Sequence, residues 1–206
     1  MKENFDIMVA GVGGQGGVLI SRIIGDAAIE TGYRIQIGET FGASQRGGSV
    51  ITHIRLGKER VYGPLVSEAG ADVVIGLEPL EALKCAVKFL KPNGVIISNE
   101  HPILPPDKNY PQMSEIQEAA KKIPAKVFFL DSNELAKEAG DILSSNIVMI
   151  GAAYAAGVLP MREEELKKAI RNRLPKAVEV NFKAFDLGKK ALEKIDGWRN
   201  DNSRAT

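Results

Sequence analysis

FDIMVAGVGGQG, residues 5–16, is a short apolar run that breaks at once into glycines. A strand buried in a parallel sheet ends this way when the chain must turn tightly into a helix. Behind it Val18, Leu19, Ile23, Ile24 and Ala27 recur at helical spacing, and Gly32 offers a C-terminal stop before the second run, Tyr33-Arg34-Ile35-Gln36-Ile37. The pattern predicts a βαβ unit with the glycines at its first turn.

Further along, residues 49–56 alternate, with Val50, Thr52, Ile54 and Leu56 on one face. Gly57-Lys58-Glu59 then leads into Arg60-Val61-Tyr62, so a β-hairpin is expected there. Residues 71–77 read as a buried strand followed by a helix with Pro79 in its first turn and a Leu80, Leu83, Val87, Leu90 stripe. A turn at Pro92-Asn93-Gly94 leads to a strand at 95–98, a proline-rich surface excursion fills 101–111, and a strand resumes at 126–131. Residues 146–156, NIVMIGAAYAA, are apolar nearly all round and small on one side, which predicts a buried helix packed closely on another element. Amphipathic helices are expected at 162–173 and 178–194. Strands alternating with helices give an α/β class: a three-layer α/β/α Rossmann-like domain with a mostly parallel sheet plus a β-hairpin. The expected organisation is a single domain over 1–195 and a polar, disordered tail over 196–206.

The length of 206 residues and hydrophobic fraction of 44% suffice for one sizeable core. Lysine plus arginine number 27 against 26 for aspartate plus glutamate, so bulk charge favours neither nucleic acid nor a membrane surface. The single Cys85 excludes an internal disulfide and, because a cluster takes about four thiolates, an iron–sulfur cluster held within the chain. The opening MKENFD lacks a signal-peptide pattern and no apolar run reaches spanning length, so a cytoplasmic location is expected.

Gly11, Gly13, Gly14, Gln15 and Gly16 form a G-x-G-x-x-G turn in the context that dinucleotide binding requires, with backbone N–H groups free to meet an anion or cofactor. Close helix-to-strand packing explains the same glycines equally well. Gly17 stands where a P-loop needs lysine, which argues against nucleotide hydrolysis. A second polar, glycine-rich loop, residues 39–48, supplies Glu39, Gln45, Arg46, Gly47 and Gly48 as cofactor-binding or interface candidates. Arg46 suits a bidentate grip on phosphate or carboxylate. Glu39 is placed to meet ribose hydroxyls, which keeps a stand-alone NAD-dependent dehydrogenase open, as is a nucleotide-binding regulatory module. His53 and His101 lack metal-ligand neighbours and read as structural or exposed, so no metal site is expected. Asn146 and Glu78 read first as helix caps. No nucleophile motif appears, and no catalytic residue is assigned.

Taken in order, GVGGQG (11–16), ETFGASQRGGSV (39–50), NIVMIGA (146–152) and NFKAFDLG (181–188) resemble the gamma-type subunit or domain of the 2-oxoacid:ferredoxin oxidoreductases, over almost the whole chain. The nearest subgroup is the indolepyruvate beta-subunit type. The resemblance implies a small subunit, inactive alone, working in a hetero-oligomer with a large subunit that holds thiamine diphosphate, Mg and 4Fe–4S clusters. That complex would oxidatively decarboxylate indolepyruvate or another arylpyruvate, reduce ferredoxin and pass the acyl group to coenzyme A (CoA) as co-substrate. No tightly bound cofactor is expected on this chain, which lacks the family's G-D-G thiamine-diphosphate motif.

Overall fold

The computed structural model describes residues 4–42, 48–59, 61–104 and 110–195. Six strands form one sheet in the order β2-β3-β1-β4-β5-β6. They are β1 (Asn4–Val12), β2 (Arg34–Phe41), β3 (Ser49–Gly57), β4 (Ala71–Gly76), β5 (Leu90–Asn99) and β6 (Lys126–Leu130). β1, β4, β5 and β6 run parallel, whereas β3 is antiparallel to both of its neighbours.

The period of two along β1 divides the interior. Ile7 and Val9 enter a large core with helices α1 (Gly17–Glu30), α5 (Ser145–Ala155), α6 (Glu163–Arg173) and α7 (Val178–Lys194). Met8 and Ala10 enter a smaller core on the opposite face with Ala82, Cys85, Ala86 and Phe89 of α2 (Pro79–Phe89). Helices thus cover both faces of the sheet, and the expected three-layer α/β/α architecture is the observed one.

The hairpin lies elsewhere than expected. β3 pairs in full register with β2, from Arg34 opposite Gly57 to Phe41 opposite Val50, so the hairpin joins β2 to β3. β3 also inserts between β2 and β1. The segment after β3 is held across the sheet face instead of extending it. The Arg55 guanidinium donates to the carbonyls of Tyr62, Gly63 and Leu65, and Val66 N–H donates to His53 Nδ1. Two helices carry no expectation from the sequence, α3 (Met113–Ala120) and α4 (Ser132–Ala139). The Pro92–Gly94 turn is absorbed into β5, which pairs irregularly with β4 there and places Asn93 at φ 63°.

His53 is 1% exposed, with Nδ1 accepting from Val66 N–H and its ring edge-on to Phe89. Burial, reinforced by Arg55 and Lys88, pushes its pKa below the ordinary value. The unfolded chain therefore binds a proton at this position that the folded chain resists. Neutral His53 contributes its full stabilisation above about pH 6.5, and that contribution is lost as the pH falls toward the lowered folded value. Urea midpoints should drop between pH 7.5 and 5.5, and His53→Gln should remove much of that dependence. An equal dependence in wild type and variant would contradict the assignment.

α5 is apolar nearly all round, as expected, and crosses α7 at two glycines. A Cβ at Gly151 would lie 2.0 Å from the Phe185 carbonyl oxygen, and one at Gly188 would lie 2.0 Å from that of Val148. This backbone-to-backbone approach fixes α5 beside the sheet, so that its first turn reaches the carboxyl edge.

Candidate functional site

The carboxyl ends of β1, β2, β4, β5 and β6 and the start of β3 meet at one edge of the sheet, where ligands of open α/β sheets bind. Here β1 ends in the glycine loop, and Gly16 stands as the N-cap of α1 with φ 87°. A Cβ on Gly16 would also lie 2.3 Å from Asn146 Nδ2, so two independent constraints require glycine. A Cβ on Gly11 would lie 2.5 Å from Gln15 Oε1, which makes that glycine the price of the Gln15 side-chain position. Gly13 and Gly14 differ, because a Cβ on either meets nothing within 4 Å.

Gln15 holds the loop in shape. Its Oε1 accepts from Val12 N–H at 2.8 Å and its Nε2 donates to the Leu77 carbonyl at 2.9 Å, tying the end of β1 to the end of β4. Asn99 at the end of β5 continues the belt. Its Nδ2 reaches the same carbonyl at 3.3 Å, and its Oδ1 accepts from Ser132 N–H at the start of α4 at 3.1 Å. The first turn of α1 has neither a side-chain cap nor an acidic residue, so its backbone N–H groups favour an acceptor atom from outside.

The end of the second glycine-rich loop touches the first: Gly13 N–H donates to the Gly48 carbonyl at 3.2 Å. Gln45, Arg46 and Gly47 lie outside the described residues. Glu39 is near the end of β2, opposite Thr52 of β3, which in turn pairs with Val9 of β1. With neighbouring strands about 4.8 Å apart, the inserted β3 roughly doubles the separation between an adjacent second strand and the glycine turn. That arrangement does not suit a ribose contact of the dehydrogenase kind.

Two clefts flank the loop. One, of about 290 Å³, is largely apolar and bounded by Val12, Val18, Phe41, Val50 and Leu77. The other, of about 270 Å³, is more polar and includes Ser132, Ser145 and Asn146. Large apolar side chains are exposed at both, Phe41 at 69% and Leu143 at 79%. Glu78 caps α2 as expected, accepting from Glu81 N–H at 2.8 Å and from the Tyr110 hydroxyl. Asn146 does not cap α5. A 3₁₀ turn, Ile142–Ser144, precedes the helix and is capped by Asp141, which leaves Asn146 inside the first α-turn beside Gly16. Sequence reasoning missed Asn99, whose position at the end of β5 carries no motif. Burial pushes the Cys85 thiol up to about 12, which makes it a poor nucleophile. No three His, Cys, Asp or Glu side chains converge on a metal-binding position among the described residues, and no described helix is long and apolar enough to cross a membrane.

A family model described as pyruvate ferredoxin/flavodoxin oxidoreductase matches residues 6–191. The chain belongs to that family. The indolepyruvate oxidoreductase subunit IorB of Pyrococcus horikoshii is 41% identical over 202 residues, covering 95% of this oxidoreductase chain and 98% of the relative. The keto/oxoacid ferredoxin oxidoreductase gamma subunit from Geobacter sulfurreducens shares the fold, with a TM-score of 0.70 at 24% identity over 93% of this chain and 99% of that one. So does the 2-oxoglutarate:ferredoxin oxidoreductase from Magnetococcus marinus, solved with 2-oxoglutarate, coenzyme A and succinyl-CoA bound. Its TM-score is 0.71 at 23% identity over 95% of this chain and 32% of that one. The fold and the family expected from the four motifs are therefore those observed.

Proposed function

We propose that this chain is the small subunit of an indolepyruvate:ferredoxin oxidoreductase, an oxidoreductase acting on the oxo group of its donor with an iron–sulfur protein as acceptor, and inactive alone. The observation that carries the reading, beside the IorB likeness, is the glycine loop that ends β1, bonded to Gly48 and leading into the uncapped start of α1. The exposed Phe41 and Leu143 at that edge suit burial by a second subunit. In this proposal residues 1–195 form one gamma-type domain and 196–206 a polar tail, and the location is cytoplasmic.

The partner is a large subunit carrying thiamine diphosphate, Mg and 4Fe–4S clusters, with ferredoxin reached through the complex. Thiamine diphosphate supplies the electron sink for loss of carbon dioxide from the keto acid. This chain's contribution is to bind and orient. The α1 N–H groups receive an acceptor oxygen of CoA, Gln15 and Asn99 hold the loop that presents them, and the apolar cleft excludes water beside the reacting groups. Arg46, assigned from the sequence, supplies a guanidinium for a phosphate or carboxylate.

The test is anaerobic reduction of a viologen dye dependent on indolepyruvate and CoA, by this chain alone, by the large subunit alone and by both. Activity is expected from the pair only. Nicotinamide reduction by the isolated chain, with an inactive pair, would replace the proposal with a dehydrogenase.

A further inference from the structure

Ile54 and Leu56 of β3 enter the core with α1, so His53 and Arg55 between them point to the opposite face of the sheet. Residues 61–66 cross that face, held mainly by hydrogen bonds. The Arg55 guanidinium donates to the carbonyls of Tyr62, Gly63 and Leu65, and Val66 N–H donates to His53 Nδ1 at 3.1 Å. Tyr62 and Leu65 are themselves exposed, whereas Val66 reaches the smaller core. The crossing is close, since a Cβ on Gly38 of β2 would lie 3.0 Å from Pro64 Cβ.

A ring nitrogen that accepts a backbone N–H is unprotonated, so the bond between Val66 and His53 exists only in the neutral imidazole. The other nitrogen, Nε2, faces Thr40 Oγ1 at 3.5 Å. The charged groups that bear on the ring are Arg55 of β3, bonded to Asp6 of β1, and Lys88 of α2, which lies 3.9 Å from Glu68. Phe89 of α2 stands edge-on to it, and β1 and β2 flank it with Met8 and Gly38. Both cations oppose a further positive charge. Among these groups His53 is the one whose ordinary pKa lies between pH 5 and 8. Because the ring is buried and Nδ1 is occupied by Val66 N–H, taking up a proton there and losing the Val66 bond are one event.

We infer that residues 61–66 form an acid-released strap, which protonation of His53 Nδ1 opens from the sheet at Val66 while the rest of the fold stays closed. The same ring faces Thr40, so the opening reaches the end of β2, where Phe41 borders the apolar cleft. The inference is independent of the subunit reading above.

The experiment is amide hydrogen exchange on the full-length chain at pH 7.5 and 5.5, corrected for intrinsic rates, read at Val66 and, for reference, at Val9 and Ile75 of the central strands. In the open strap the imidazole regains its ordinary pKa of about 6.5, so protection of Val66 should fall about tenfold from the higher pH to the lower. Its exchange should hardly respond to low urea, because a local opening exposes little surface. Val9 and Ile75 should be better protected and should respond to urea. His53→Gln offers an acceptor that does not titrate, and Val66 protection should then be equal at the two pH values. The wild-type measurements do not depend on how that variant folds. Equal protection of Val66 at both pH values in the wild type would overturn the inference. So would exchange of Val66 with the protection and urea response of Val9 and Ile75, or a pH response that persists in His53→Gln.

Discussion

Gly188→Ala is expected to destabilise the protein by about 3 kcal/mol, at the upper end for overpacking a core, and to lower the melting midpoint by roughly 6–12 °C for a chain of this size. The reason is what the new methyl group meets. It would lie 2.0 Å from the Val148 carbonyl oxygen, which belongs to a helix backbone and cannot rotate away as a side-chain end can. Alanine's better helix propensity returns only about 1 kcal/mol. Gly151→Ala has the mirror-image clash with the Phe185 carbonyl and should cost as much. The double variant should cost clearly less than the sum, since α5 and α7 part once for both methyl groups. Thermal unfolding of the four proteins reads this directly, and additive losses would mean that the two contacts are independent.

Gly16→Ala is expected to cost about 2 kcal/mol and most of the activity of the assembled complex. A left-handed backbone at φ 87° disfavours any β-carbon by about 1–2 kcal/mol. The added carbon also meets the Asn146 amide at 2.3 Å, displacing a side chain that is itself buried. Stability and turnover should fall together, because the same atom strains the loop and disturbs the wall of the polar cleft. Retention of full activity at reduced stability would separate the loop from function.

Much of this was legible in the sequence wherever one periodicity acted alone. The apolar run of residues 5–10, the helical spacing after Gly17 and the small face of residues 146–156 each correspond to an observed element. The position of β3 was not legible. Ser49–Gly57 alternates equally well whichever strands it pairs with, and its insertion between β2 and β1 depends on contacts far apart in the chain. The hairpin was misplaced for a related reason: Val61 and Tyr62 look like strand residues, but Arg55 claims the carbonyls around them. At the site, both glycine-rich segments stood out as motifs, whereas the Gly13 to Gly48 hydrogen bond that joins them was not readable. Asn146 was not, because a polar residue opening an apolar helix looks like a cap until the preceding 3₁₀ turn moves the helix start upstream. Gln15 was readable as part of the loop, but its internal bonds to Val12 and Leu77 were not.

The carboxyl edge as a working surface is tested most directly at Gly13. A Cβ there meets nothing within 4 Å, and its φ lies outside the left-handed range. Within the isolated chain the position therefore has no need of glycine, and Gly13→Ala should leave the melting midpoint unchanged. In the complex, a methyl group on the outer face of the loop should obstruct whatever approaches it. The measurement is kcat/KM for CoA of the reconstituted Gly13→Ala complex beside its melting midpoint. A fall of tenfold or more at unchanged stability is the predicted result, and wild-type kcat/KM at unchanged stability would contradict the claim.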